Sequence, residues 1–149
     1  GACTGAVAGL VAITPAAGTV DLLGAFCIGI ITPIVCFFMV AAVKPKFKYD
    51  DALDAFGVHG IGGIIGSILT GVFATRFISG EDGVQGALYG DWHQLWVQIV
   101  ATVVSIVFSA VITFILFKIV DSTIGLRVDK RVEEEGLDIY EHGESAYNH

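Results

Sequence analysis

The sequence predicts an all-α protein, a polytopic bundle of membrane-spanning helices, and three observations support that prediction. Of its 149 residues, 54% are hydrophobic and 15% charged, whereas a soluble domain carries roughly 25% charged residues. The apolar residues collect into four long runs separated by short polar connectors. The basic residues concentrate in one connector and just after the last run. The formal net charge of −7 adds little, because most acids sit in loops and in the tail.

Residues 1–14 are apolar but too short to span alone, since about 20 residues are needed to cross roughly 30 Å of hydrocarbon. The run starts at Gly1 with no basic start and no signal-peptide pattern. We therefore expect a helix truncated at its N-terminal end, and a chain that is the C-terminal part of a longer polytopic protein. Residues 22–43 are long enough and uncharged, with a kink expected at Pro33. Residues 55–74 also suffice, and His59 is their sole ionisable side chain. Residues 92–117 form the longest run, where Trp92 and Trp96 suit an interfacial anchor.

The connectors "TPAAGTVD" and "RFISGEDGVQGALYGD" are loops by their Pro, Gly and Asp content. The connector "KPKFKYDD" carries Lys44, Lys46 and Lys48, and Lys118, Arg127, Lys130 and Arg131 follow the last run. Cytoplasmic loops carry the Lys/Arg excess, and two spans separate these basic groups, so both can lie on the cytoplasmic side. The expected organisation is about four transmembrane helices within residues 1–126 and a cytoplasmic tail over 127–149. Glu81 and Asp82 then fall outside, with His93 at the outer interface and His142 in the tail.

Two spacings suggest close helix packing. Gly1, Gly5 and Gly9 recur every four residues, as do Gly62 and Gly66, and such faces let backbones approach closely. Cys3, Cys27 and Cys36 all lie in apolar runs, where three thiols read as small hydrophobes and not as a disulfide framework.

The most informative stretch is "DDALDAFGVHGIGG", residues 50–63. Asp50 or Asp51 can cap the helix that follows, and Asp54 suits the positive end of its dipole. One cap does not need three acids. His59 lies one to two turns inside, where a charged ring is costly and ionisable residues usually face a bundle interior or a pathway. A neutral histidine bonded between helices is the plainer alternative. At helical spacing Ala55, Gly62, Gly63 and Gly66 share its side, leaving room for a narrow apolar channel or another helix. A metal site is not expected, because no second His, Cys or carboxylate stands at ligand spacing.

Taken together, "AGLVAITPAAG", "DDALDAFGVHGIGGIIGSILTGVFA", "STIGLRV" and "EEEGLDIYEHGESAYN" resemble, in order and across essentially the whole chain, the C-terminal part of the ammonium transporter family (Amt, with its Mep and Rh relatives), on the Amt branch. The resemblance implies the C-terminal portion of an inverted-repeat transporter fold, assembled as a homotrimer with one pore per subunit. It implies a multi-pass protein of the plasma or inner membrane, not an enzyme, with ammonium or ammonia as cargo. It involves no cofactor and no nucleic acid.

Within that pore a pair of histidines, one from each half, would meet a deprotonated cargo. His59 matches the second of the pair, and Ala55 would lie beside it in the pore. Asp51 matches an acid mirroring one that supports the outer ammonium site, and Asp54 a cytoplasmic-side carboxylate implicated in carrying protons. The first histidine, the phenylalanine gate and the outer recruitment site belong to the upstream half. An ammonium sensor or scaffold acting through the tail, with a PII-type regulator at the cytoplasmic face, is the alternative function. A water or gas channel of another family ranks third.

Overall fold

The computed structural model describes residues 1–144, all of whose regular elements are helices. Two compact units divide the chain, Gly1–Ser105 and Ile106–His149. Three helices are long and apolar enough to cross a membrane: a first span Leu22–Phe47, a second span Phe56–Phe73 and a third span Trp92–Thr123. A shorter apolar helix, Ala2–Ile13, precedes them. At 1.5 Å per residue the 18-residue second span is about 27 Å long, just short of the hydrocarbon thickness.

In the first unit the N-terminal helix packs against both the first and the second span. Two small clusters form the core. One joins Ala8, Cys36 and Val58 with Val40 and Ile61; the other joins Ala12, Ala16 and Ile28 with Leu69 and Phe73. Small residues dominate because the backbones nearly touch. A Cβ on Gly62 would lie 3.2 Å from Val11 Cγ1, and one on Gly66 would collide with the backbone of Ala12. These two glycines form the packing face that their spacing predicts. Gly1 and Gly5 do not, since a Cβ on either would meet no described atom within 4 Å; of that trio Gly9 alone faces a neighbour, Gly29 and Pro33.

The first span runs on through Pro33 as helix. A spanning helix tolerates a proline where neighbouring helices shield the freed carbonyl, and the close approach of Gly9 to Gly29 lies at that point. Six residues beyond Pro33 the helix widens into a π turn, Met39–Val43. It then continues as α-helix through Lys44–Phe47, beyond the apolar run that ends at residue 43. Lys48 closes it in a left-handed conformation, φ 53°, donating its N–H to Lys44 O at 2.8 Å.

The two glycine-rich connectors clasp one another. Asp21 caps the first span by accepting from Gly24 N at 2.8 Å, and the hydroxyl of Tyr89 donates to its other oxygen at 3.1 Å. An isolated antiparallel bridge pairs Val20 with Ala74, and Thr75 N donates to Thr19 O at 2.7 Å. The connector read as loop contains a short helix, Arg76–Ser79, whose N-cap is Thr75.

Within the second unit the third span extends to Thr123, six residues past the run ending at Phe117. Lys118 and Asp121 end the apolar run without ending the helix. Thr123 Oγ1 donates to Ile119 O, and Gly125, φ 80°, takes the left-handed turn that closes the end. The tail forms two short helices, Lys130–Glu135 and Leu137–His142. Arg127 forks onto Glu133 at 2.7 and 3.2 Å, and Arg131 pairs with Glu135 at 2.7 Å. Val132 is buried, whereas Leu137, Ile139 and Tyr140 are exposed.

Candidate functional site

The candidate site lies where the chain reverses between the first and second spans. Left-handed residues bracket the reversal, Lys48 and Asp54, with φ 53° and 54°. Both carry a Cβ, so each conformation is sterically costly and must be held by its surroundings. Asp54 N donates to Asp51 O at 3.1 Å, and Asp54 O accepts from Val58 N at 2.8 Å.

The three acids are not equivalent. Asp51 is the cap: its carboxylate accepts from Phe56 N at 3.0 and 3.2 Å and from Gly57 N at 3.1 Å. Partial burial pushes its carboxyl up, but hydrogen bonds from the amides of Gly57, Phe56 and Ala55 outweigh it, and Lys44 adds to them. The net effect holds Asp51 below its ordinary value. The Asp54 carboxylate takes a different partner. It is paired with Lys44, whose Nζ lies 2.6 Å from Asp54 Oδ1 and 2.6 Å from Asp51 O. Asp50 is exposed.

The lysines differ as well. Lys46 and Lys48 are exposed, while Lys44 is half-buried in the corner. Tyr49 stands edge-on to Phe56 with ring centroids 5.8 Å apart, and its hydroxyl is buried without a hydrogen-bond partner among the described residues.

His59 sits in a second π turn, Phe56–Gly60. The two π turns meet, and a Cβ on Gly57 would lie 2.8 Å from Val40 Cγ2. Such turns are rare and recur at functional sites. A π turn also advances less per residue than an α turn, so faces assigned at a period of 3.6 lose phase across it. Of the residues expected to share the side of His59, Ala55 and Gly63 do so and Gly62 and Gly66 do not. Gly62 and Gly66 point into the packing with the N-terminal helix, while His59 and Ala55 are exposed and a Cβ on Gly63 would meet nothing within 4 Å. Within this chain His59 is exposed.

On the packed side, a groove of about 280 Å³ is lined by Thr4, Ala8, Cys36, Val40, Asp54 and Val58, among others. Cys36 Sγ lies 3.8 Å from Val58 O, a weak hydrogen bond into the π turn. Sequence reasoning missed Lys44 and Val40 as members of this corner. The available signal was a lysine ending one span ten residues before an acid opening the next. His93 and His142 stand apart from it: His93 N donates to Asp91 at the start of the third span, and His142 ends the last short helix. Among the described residues, no group of three or more His, Cys, Asp or Glu is placed to hold a metal ion.

A family model described as the Ammonium Transporter Family matches residues 1–147. The chain is 50% identical over 148 residues to an ammonium transporter of Aquifex aeolicus, covering 99% of this chain and 34% of that protein. It is 52% identical over 147 residues to one of Bacillus subtilis, covering 99% and 36%. The crystal structure of Candida albicans Mep2 superposes with a TM-score of 0.80 at 32% identity, over 96% of this chain and 33% of that one. Saccharomyces cerevisiae Mep2 gives 0.77 at 34% identity, over 87% and 30%. The chain thus spans about a third of the length of the relatives it matches.

Proposed function

Because this chain belongs to the ammonium transporter family, we propose that it supplies one wall of a pore for ammonium and that His59 handles the cargo there. Family and apolar helices together make it an integral membrane protein. The observation carrying the reading is the position of His59: the one ionisable side chain of residues 55–74, on a widened turn, facing away from the glycine-packed side.

The physical argument is the barrier. Taking a small cation from water into a low-dielectric medium costs, in the idealised limit, on the order of 20 kcal/mol. That corresponds to a rate of about 10⁻² per second, too slow for a transporter. A ring of carbonyls would lower the barrier, but an apolar wall with one imidazole does not resemble such a filter. Removing the proton lowers it instead, since ammonia is small and uncharged. In this reading His59 and a second histidine from the upstream half align ammonia or relay its proton. Ala55 lines the passage, and the upstream half encloses the ring that this chain leaves exposed. Asp54 moves protons at the cytoplasmic mouth, and Asp51 shapes that mouth by fixing the start of the second span.

The proposed assembly is a homotrimer in the cell membrane with the tail cytoplasmic. The exposed Leu137, Ile139 and Tyr140 favour a second role for that tail, docking on a neighbouring subunit or a PII-type regulator and reporting ammonium. The primary reading is tested in the full-length protein by ammonium-evoked current and methylammonium uptake for His59→Ala and Asp54→Asn. Loss of transport or of selectivity is expected. Wild-type behaviour of both variants overturns the assignment.

A further inference from the structure

We propose that Lys44 is a positioning residue for the Asp54 carboxylate, and so governs how fast cargo or its proton leaves the cytoplasmic mouth. The proposal rests on the reading that Asp54 takes part in that exit.

Asp54 is not oriented by its own helix. It precedes the first turn in a left-handed conformation, and its carboxylate is free of the cap, because Asp51 fills that role. What fixes it comes from the preceding span. The Lys44 ammonium has three donors, and two of them go to Asp54 Oδ1 and Asp51 O, each at 2.6 Å. Asp51 O also accepts from Asp54 N, so one carbonyl ties the ammonium and the acid's own backbone together. Lys44 is anchored in turn, since its carbonyl accepts from Lys48 N at 2.8 Å and so closes the last turn of the first span.

Folding alone is a weak reason for the pair. The side chains are 26% and 28% exposed, and partly exposed ion pairs contribute little to stability. Direction is a better reason. Asp54 lines the groove beside Val40 and Val58, a groove that does not include His59, and a carboxylate freed from Lys44 would lose its fixed place in the corner between the two spans.

The test uses the full-length protein in proteoliposomes, with uptake resolved into maximal rate and half-saturation. Lys44→Met is expected to lower the maximal rate about tenfold with half-saturation within about twofold. Lys44→Arg, which keeps the charge in a different shape, should recover part of the rate. Lys44→Met/Asp54→Asn should transport no worse than Asp54→Asn alone, because the lysine acts through the acid. If Lys44→Met does not reach the membrane, the double variant, which strands no charge, and Lys44→Arg carry the comparison. Wild-type rate for Lys44→Met, or a double variant impaired by the product of the two single effects, overturns the positioning role while leaving Asp54 in place. Wild-type rate for Asp54→Asn overturns the underlying reading, and this proposal with it.

Discussion

Gly66 and Ala12 meet backbone to backbone: a Cβ on Gly66 would overlap the Ala12 carbonyl oxygen and stand 2.9 Å from Ala12 Cα. Backbone has no rotamer with which to yield, so Gly66→Ala forces the N-terminal helix and the second span apart. Overpacking of this kind costs about 1–3 kcal/mol. A clear fall in thermal midpoint is expected for the solubilised protein. Gly63→Ala, three residues earlier with open space around it, should leave the midpoint unchanged.

Asp51 gives the second span a defined pH response. Its folded value lies below its unfolded one, so its contribution is present above the unfolded value, near 4, and fades as pH falls through the folded value. The protection of the Phe56 and Gly57 amides against hydrogen exchange, taken relative to their intrinsic rates at each pH, should therefore fall on acidification. In Asp51→Ala those amides should exchange several-fold faster already at pH 7, and the acid response should disappear.

The Tyr89–Asp21 bond reports on the clasp between the two glycine-rich connectors. Burial, and then the bond to Asp21, push the Tyr89 hydroxyl above its ordinary value. Its contribution is therefore present below pH 10 and lost as pH rises through the higher folded value. Tyr89→Phe should loosen residues 76–91 to limited proteolysis at neutral pH with little change in thermal midpoint. The variant should also show no further loosening as pH passes 10.

Deleting residues 136–149 separates the tail from the pore. Transport should fall several-fold while hydrogen exchange across the second span stays as in the wild type. Unchanged transport together with unchanged partner binding would remove the tail from the mechanism. The last five of those residues lie outside the described part of the chain.

Hydropathy placed the three long helices well because lipid demands a continuous apolar run of fixed length. Their ends were less legible. Lys44 and Lys118 interrupt hydrophobicity but not helical hydrogen bonding, so both helices outlast their apolar runs. The acids of residues 50–54 were visible as a group, yet their division of labour was not. Asp51 caps across five residues and Asp54 pairs across ten, and both distances depend on the left-handed turn at Asp54. The exposed face of His59 was legible only in part, because glycine spacing does not say which side the N-terminal helix occupies, and that helix takes Gly62 and Gly66 while Gly63 stays open.

The widened turn at Phe56–Gly60 holds one residue more than an α turn would, since its hydrogen bonds close over five residues and not four. Removing one residue between Phe56 and Gly60 would restore an ordinary helix while leaving the phase of the glycines beyond it nearly unchanged. The slack sits at His59 itself, so the ring is re-aimed there at no cost to the seam at Gly62 and Gly66.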